Sequence, residues 1–323
     1  MKYLVRLKPL KPYFFGSENS FSKDDIRDES RYFAKSLLFP QQTTIIGMLR
    51  KELLRATNCL SIHKKGEWVD KEQYHKAVEY TGKGDVFAGN LGIINSISEV
   101  FLLNEDEFIF KAENDRELNP KKTDIKVSLN GFIRDFIDFG INPKNYENNL
   151  YISNKNSYKF DDIFKRYTSV GIQKNKDQEA FYQKEAYFLK DNFEFGFILE
   201  LSKEIKNIDT ILELGGDGSL FSVEFCDYKE IEYPFEIKEL DRIVILSDTI
   251  LPKDIMEDCE YIFGDSYLIR SVKRGSKKTK REKVLTRGSV IYPKDIEKVS
   301  QKLKNNKNLN KIGMNQFKEL KNV

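Results

Sequence analysis

The stretch "ILELGGDGSLFSVEF", residues 211–225, governs the fold prediction, because two apolar runs of strand length enclose a turn that contains three glycines. Glycine lacks a Cβ atom and adopts positive φ easily, so this turn suits a tight hairpin. The same property lets backbone N–H groups approach an anion, which makes Gly215, Gly216, Asp217 and Gly218 candidates for phosphate contact. The turn alone leaves both interpretations open.

A catalytic role for Asp217 would require a second carboxylate, because the Gly-Gly-Asp turns of nucleotidyl cyclases and polymerase palms serve two divalent ions. The residue that follows is Gly218, and the sequence contains no GxxxxGK[ST] phosphate loop. His63 and His75 lie in a polar stretch without a partner constellation, and Cys59 with His63 would supply only two of the four ligands of a structural zinc. We therefore predict no catalytic residue, no metal site and no cofactor.

Charge is distributed unevenly along the chain. Residues 270–323 contain 17 Lys and Arg against 4 Asp and Glu, a net charge of +13, whereas residues 1–269 carry a net charge of −10. The segment 270–287 holds nine of the basic residues and one acidic residue. Flexible cationic side chains neutralise phosphates, so the segment predicts RNA or DNA binding in preference to a solvated loop without a partner. The candidate contacts in and just after it are Arg274, Lys277, Lys278, Arg287, Gly288 and Ser289.

Length and composition indicate a folded, globular chain. The 323 residues exceed one typical core, and 40% of them are hydrophobic, so two domains are expected. No stretch approaches the roughly 20 apolar residues that span a bilayer, and the three cysteines are far apart without a CxxC pair. We expect a cytoplasmic protein without membrane contact.

Strands with two principal amphipathic helices and no regular βαβ repeat predict an α+β fold. Two ferredoxin-like (RRM-like) units, with Gly-rich loops and inserted hairpins, account for the order of elements. The first would occupy residues 1–200, with insertions over approximately residues 58–165, and the second residues 201–323, with the basic loop at 270–287. Within the insertions, residues 127–140 are predicted to form a short helix.

Two further elements carry candidate contacts. The first helix, which begins after a Phe-Pro pair, places Thr43 and Thr44 in its electropositive first turn, and Arg50 lies further along it. A hairpin predicted over residues 165–190 contains Arg166.

Several segments, in their order along the chain, resemble the motifs of RAMP-superfamily CRISPR subunits. They are "LKPLKPYFFGSENSF" (7–21), "SLLFPQQTTIIGMLRKEL" (36–53), "GNLGIINSISEVFLLNEDEFIFK" (89–111), "RYTSVGIQKNKDQEAFYQKEAYFL" (166–189), "ELGGDGSLF" (213–221) and "FGDSYLIRSV" (263–272). The resemblance is strongest to the third subunit of the Cmr (type III-B) complex. Asp217 and Ser219 stand where that family has Glu and Arg, so the turn is expected to bind through its backbone.

This resemblance implies a non-catalytic RAMP subunit of an RNA-guided effector complex in antiviral defence. Its partners would be the 5′ handle of the crRNA, the large palm-containing signature subunit, an adjacent RAMP backbone subunit and, indirectly, the target RNA. The first turn of the Pro40 helix, the glycine turn and the basic segment would converge on a short single strand. Phe14, Phe15 and Tyr292 are candidates for stacking on its bases, although an ordinary core position is the preferred interpretation for Phe14 or Phe15.

Three alternatives stay open at this point. One is a metal-independent crRNA-processing endoribonuclease of the same superfamily, with His63 or His75 as general base. A second is the equivalent subunit of a Csm-type complex. The third is a structural cap whose basic segment contacts an acidic protein surface.

Overall fold

The structure is a computed structural model, and it describes residues 1–16, 32–60, 63–64, 67–68, 71–87, 90–118, 120–129, 132–138, 150–175, 178–205, 208, 210–215, 217–270 and 281–322. Five α-helices lie in this part of the chain: α1 (Gln42–Ala56), α2 (Lys71–Thr81), α3 (Phe160–Ile163), α4 (Ile296–Lys304) and α5 (Lys307–Lys311). None of these described helices combines the length and the apolar character that crossing a membrane requires.

Strands make up most of the remaining structure, and the predicted α+β class is confirmed. The strands up to residue 227 are β1 (Lys2–Pro9), β2 (Tyr32–Lys35), β3 (His63–Lys64), β4 (Glu67–Trp68), β5 (Ile94–Ile97), β6 (Phe101–Asn104), β7 (Glu107–Lys111), β8 (Lys121–Leu129), β9 (Phe132–Asp138), β10 (Leu150–Ile152), β11 (Ser157–Lys159), β12 (Phe164–Asn175), β13 (Gln178–Leu189), β14 (Phe193–Leu201), β15 (Ile211–Leu214) and β16 (Ser219–Asp227). Those that follow are β17 (Arg242–Ile245), β18 (Thr249–Ile250), β19 (Cys259–Phe263), β20 (Ser266–Arg270), β21 (Arg281–Leu285), β22 (Val290–Pro293) and β23 (Phe317–Leu320).

The first sheet has nine strands in the order β11-β10-β7-β6-β14-β1-β16-β15, with β5 added beside β14. Strand β1 is central and pairs antiparallel with both β14 and β16. Its side chains alternate between the two faces of the sheet: Val5 and Leu7 are buried in the core that includes α1, and Leu4 is buried in a separate cluster. Both faces of the sheet are therefore covered.

Helix α1 packs on the first sheet through an apolar stripe. Ile45, Leu49 and Leu53 recur at helical spacing and are buried in the core of that sheet. Gln42 in the first turn is buried, and its Nε2 donates to the carbonyl oxygens of Ser98 (3.2 Å) and Gly313 (2.8 Å). This side chain therefore ties the beginning of α1 to a loop of the first sheet and to the C-terminal part of the chain.

The second sheet has four strands in the order β19-β22-β17-β23, covered by α4. Its core contains Ile243, Ile291, Val299 and Leu303, all of them fully buried. Numbered in chain order, its strands follow the spatial order 4-1-3-2, and β1, β6, β14 and β16 of the first sheet follow the same order. Strands β15 and β16 lie beyond the predicted domain division between residues 200 and 201, yet both belong to the first sheet, where β16 pairs with β1. The division itself stays a prediction.

The two sheets meet at a buried cluster of charges. Arg242, at the beginning of β17, is fully buried, and its Nη1 donates to Asp115 Oδ1 at 2.5 Å. Its Nη2 donates to Glu113 Oε1 at 3.3 Å and to the carbonyl oxygen of Glu236 at 2.6 Å. The hydroxyl of Tyr292 on β22 also donates to Asp115. Since Glu113 and Asp115 follow β7 of the first sheet, this cluster fixes one sheet against the other.

The predicted helix over residues 127–140 is wrong. Strands β8 and β9 form an antiparallel hairpin there, with Ser128 opposite Ile133. The apolar residues of "FIRDFID" are spaced in a way that also fits a helix, which explains the error. Asn130 and Gly131 stand between the two strands in the sequence, and this dipeptide is the stronger local signal, because it favours a two-residue hairpin turn.

We predict that Arg242→Met lowers the free energy of unfolding by about 3–5 kcal/mol, because Asp115 and Glu113 would stay buried without this cation. Urea denaturation at pH 7 measures the loss. The matched control is Lys321→Met, which removes an exposed cation 2.6 Å from Glu297 and should cost below about 1 kcal/mol. Equal losses in the two variants would contradict the role of the buried cluster.

Candidate nucleic-acid interface

The basic segment extends from a hairpin formed by β20 and β21. The strands pair as far as Arg270 opposite Arg281. The residues between them, 271–280, lie outside the described residues, and with them the predicted contacts Arg274, Lys277 and Lys278. Ile269 and Val284 are buried in the core of the first sheet, so the base of this hairpin has a fixed position.

The N-terminal turn of α1 lies beside the base of that hairpin. A small cavity between them is lined by Thr43, Asp248 and Ile269, among others. Thr43 and Thr44 are half-buried. The Tyr267 hydroxyl donates to Asp248 Oδ2 at 2.5 Å, and burial together with this carboxylate raises the pKa of Tyr267. The structure thus brings the first turn of α1 and the base of the β20–β21 hairpin together. It also places Asp248 where the electropositive end of α1 would attract a phosphate.

Arg50 and its neighbour on α1 have partners within the protein. The Arg50 guanidinium donates through Nη2 to the carbonyl oxygen of Asn90 (3.1 Å) and through Nη1 to that of Gly84 (3.4 Å). Burial lowers the pKa of Arg50. Lys51 Nζ lies 2.6 Å from Glu213 Oε2 on β15. Arg50 therefore holds a loop against the helix, a role that the charge pattern did not reveal.

Arg287 also serves the junction of the two sheets. Its Nη1 donates to the carbonyl oxygen of Val100 at 2.7 Å, and its guanidinium carbon lies 3.9 Å from the centre of the Phe39 ring. Glu99, next to Val100, is buried; burial raises the pKa of its carboxyl group, and the Tyr233 hydroxyl donates to it at 2.7 Å. These contacts place Arg287 between the sheets, in a position that differs from the open phosphate contact predicted for it.

Gly288 and Ser289 are packed into the same junction. Gly288 has a φ of +80°, and a Cβ atom at this position would lie 2.6 Å from the carbonyl oxygen of Ala112. Its N–H donates to the carbonyl oxygen of Ile245, and its own carbonyl oxygen accepts from the N–H of Asn114, both at 2.8 Å. Ser289 is fully buried. The glycine is required here by the close approach of two backbones, and this location leaves little room for RNA.

The glycine turn between β15 and β16 is a tight hairpin. Gly215 and Gly218 have φ values of +87° and +67°, and the N–H of Gly218 donates to the carbonyl of Gly215 at 3.3 Å. Gly216 lies outside the described residues. Ser219 follows the turn, and its Oγ accepts from the N–H of Phe14 at 3.2 Å. The turn is therefore joined to the segment after β1.

A lysine that the sequence did not single out reaches this turn. Lys184 on β13 forms an ion pair with Asp217. Its Nζ also lies 4.5 Å from the centre of the Phe14 ring. No local pattern marks Lys184, because its position next to the turn depends on how β13 packs against a distant part of the chain.

The predicted hairpin over residues 165–190 is confirmed by β12 and β13. These strands pair from Phe164 opposite Leu189 onwards, and β2 lies parallel to β13 on its other side. Arg166 is exposed on β12, with its guanidinium carbon 5.2 Å from the centre of the Phe160 ring. Val170 on the same strand is 72% exposed. The hairpin therefore presents both cationic and apolar groups to solvent.

The aromatic residues proposed for stacking are buried. Phe14, Phe15 and Tyr292 are at most 4% exposed. Phe15 belongs to the core of the first sheet, and the Tyr292 hydroxyl donates to Asp115. Their ring faces are therefore not open to a base in this conformation.

The residues considered for catalysis or metal binding are dispersed. His75 is exposed on α2, with its ring centre 5.7 Å from that of Tyr74. Cys59 is buried, and the side chain of His63 is outside the description. In the described ranges, no three His, Cys, Asp or Glu side chains come together as a metal site would need.

The predicted contacts form two groups. One contains Thr43, Thr44 and the base of the β20–β21 hairpin that carries the basic segment, which we call the basic hairpin. The other contains the glycine turn and β13. Helix α1 connects them: it touches β15 at Lys51, which is about 10 Å along the helix axis from Thr44.

Comparison with known proteins gives two findings. The model of the family described as "CRISPR-associated protein (Cas_Cmr3)" matches residues 5–107, which begin within β1 and include α1, β5 and β6. No curated protein sequence matches the chain.

Among solved structures, the chain is similar to one in the cryo-EM structure of the type III-B Cmr-beta complex bound to cognate target RNA. The TM-score is 0.52 at 16% sequence identity, over 97% of this chain and 96% of that one. It is also similar to a chain in the crystal structure of the Csm3-Csm4 subcomplex of the type III-A CRISPR-Cas interference complex, with a TM-score of 0.41 at 14% identity, over 90% and 92% of the two chains. The first likeness shows a shared fold.

We predict that Gly288→Ala lowers the free energy of unfolding by at least about 2 kcal/mol, since it combines a left-handed φ with a clash against backbone. The matched control is Gly218→Ala, where φ is also positive but a Cβ atom meets open space, and the expected cost is about 1 kcal/mol. Thermal unfolding of both variants measures the difference. A Gly288→Ala chain as stable as Gly218→Ala would refute the close packing at the junction.

Proposed function

The chain resembles type III CRISPR effector subunits of the Cmr family, and from this premise we propose that it is a non-catalytic subunit of a type III-B RNA-guided effector complex. Support comes from the family match over residues 5–107 and from the fold shared with a chain of a Cmr-beta complex bound to target RNA. In this role it binds the 5′ handle of the crRNA and docks on the large palm-containing signature subunit, beside a RAMP backbone subunit. It acts in the cytoplasm.

The observation that carries RNA binding is the position of the basic hairpin. Its base is held in the core of the first sheet by Ile269 and Val284. The sequence between its strands, residues 271–280, has five basic residues and no acidic one. A cationic segment on a fixed base neutralises phosphates near the N-terminal turn of α1 without specifying bases.

We interpret both sheets as ferredoxin-like units, as the sequence predicted. The 4-1-3-2 strand order in each sheet supports this interpretation. Helix α1 follows the first strand of the first sheet, and α4 precedes the last strand of the second. Between β14 and β16, the described residues contain a strand, β15, and no helix, so the first unit departs from the ideal pattern.

The hairpin of β12 and β13 belongs to the same proposed interface. It is long, it carries Arg166 and it exposes Val170. A protruding hairpin with these groups can press against the guide and tilt a nucleotide out of its stack. The acidic N-terminal part of the chain then faces protein neighbours.

We predict that replacing Arg274, Lys277 and Lys278 together by Gln weakens binding of a crRNA-handle oligonucleotide. The slope of log K against log salt should become shallower by about 2, since each phosphate contact on a single strand contributes about 0.7. Fluorescence anisotropy at several salt concentrations measures both quantities. Arg287 is left unchanged, because its loss would disturb the junction.

The matched control for this triple variant replaces Lys71, Lys76 and Lys83, which are exposed on and just after α2, by Gln. It removes the same charge from another surface and should leave the slope close to that of the parent chain. An equal change in the two triple variants would remove the basic hairpin from the interface and leave only an effect of net charge.

We predict that the purified chain leaves precursor repeat RNA intact, both with and without Mg²⁺, because a subunit of this kind binds the RNA without cutting it. Denaturing electrophoresis measures the outcome. Metal-independent cleavage at one site that is lost in His63→Ala or His75→Ala would establish the endoribonuclease alternative instead.

A further inference from the structure

We propose that Lys184 is a phosphate-binding residue of the glycine turn, and that the Asp217 carboxylate occupies its ammonium group until a phosphate of single-stranded RNA replaces it. This inference rests on the proposed function. It deepens that function by naming a contact residue and an internal competitor for it.

The turn needs a cation from elsewhere to hold a phosphate. Residues 215–219 are Gly-Gly-Asp-Gly-Ser, and their only ionisable side chain is acidic. Left to itself, this turn would repel RNA. Lys184 on β13 supplies the missing positive charge, since it forms an ion pair with Asp217 across the gap between two distant parts of the chain.

The position of the Lys184 ammonium group is set from two sides. Its Nζ lies 4.5 Å from the centre of the Phe14 ring, where the negative face of the ring attracts a cation. Phe14 is itself buried, and its N–H donates to Ser219 Oγ at the end of the turn. The ring that supports the lysine is therefore fixed to the turn, and the ammonium group keeps its place when its carboxylate partner leaves.

The carboxylate is the more easily displaced partner. The Asp217 side chain is 51% exposed, whereas the Lys184 side chain is 25% exposed. An exposed ion pair contributes little to stability, because water and salt screen it. A phosphate oxygen offers the same ammonium group an equivalent acceptor, and RNA brings further phosphates to the surrounding basic residues.

The space next to the pair accommodates a nucleotide backbone. A Cβ atom built on Gly218 would meet no other atom within 4 Å, so the turn is open on that side. A phosphate on Lys184 would thus lie against the open side of the glycine turn.

The test uses the full chain and a fluorescently labelled short oligouridylate, with anisotropy measured over a series of salt concentrations. Lys184→Met should weaken binding several-fold and make the log–log salt slope shallower by about 0.7, the loss of one phosphate contact on a single strand. Asp217→Asn should tighten binding several-fold, because the competitor is gone, and should leave the slope unchanged.

The matched control is Lys203→Met. Lys203 forms an ion pair with Glu79 and lies 5.8 Å from the centre of the Tyr80 ring, so it has the same kinds of partner as Lys184, although its side chain is more exposed and it lies away from the glycine turn. Its loss should change neither the affinity nor the slope. Circular dichroism and thermal unfolding of the three single variants confirm that each one is folded.

The double variant separates competition from simple repulsion. In the Lys184→Met background, Asp217→Asn should no longer tighten binding, because there is no ammonium group left to release. Tightening by the same factor in both backgrounds would show that Asp217 only repels RNA, and would overturn the proposed exchange. A Lys184→Met chain that behaves like Lys203→Met would overturn the contact itself.

These outcomes are distinct from a failure of the proposed function. If the parent chain binds RNA and Lys184→Met binds it equally well, only the present inference fails. If the parent chain binds no single-stranded RNA at all, both the proposed function and this inference fail.

Discussion

The buried pair between Arg242 and Asp115 is the interaction on which the arrangement of the molecule depends. It joins the first strand of the second sheet to the segment that leaves the first sheet after β7. A buried ion pair adds little net stability, because both ions lose their hydration, but its geometry admits few alternatives. The Tyr292 hydroxyl on the same carboxylate restricts them further. Helix α1 packs in the core of the first sheet, and the hairpin of β20 and β21, which pairs with β18 in a separate sheet, is held in that same core by Ile269 and Val284. The chain passes from this hairpin to the second sheet through Arg287 and Gly288, so the junction also constrains the candidate interface.

Arginine and lysine side chains have different roles in this protein, which follow from their chemistry. Arg50, Arg242 and Arg287 all donate from their guanidinium groups to backbone carbonyl oxygens of the protein itself. A planar group with five donors can satisfy several acceptors at once, which suits it to a crowded junction. The lysines of the basic segment carry a compact, hydrated charge on a flexible stem, which suits contact with a mobile polyanion. A count of positive charges cannot distinguish these two uses.

Elements that depend on local pattern could be predicted from the sequence. The stripe of Ile45, Leu49 and Leu53 specified α1, and alternation specified the β12–β13 hairpin. The helix predicted over residues 127–140 is wrong because their apolar spacing fits both a helix and a strand, and the Asn-Gly pair decides for a hairpin. The roles of Arg287 and Lys184 could not be foreseen from local pattern. Arg287 donates to Val100, which is more than 100 residues away in the chain. Lys184 pairs with Asp217, which lies in a turn between two other strands.

The central position of β1 has a consequence for how the chain is made. Its Lys2 lies opposite Glu200 on β14, and its Tyr3 lies opposite Asp227 on β16. Strand β1 is thus completed by two of the last strands of its sheet to be synthesised. At a synthesis rate of about 5–20 residues per second, Tyr3 waits roughly 10–45 s for its second neighbour. During that interval β1 is an unpaired, half-apolar strand, and its edges are open to aggregation until β14 and β16 have been made.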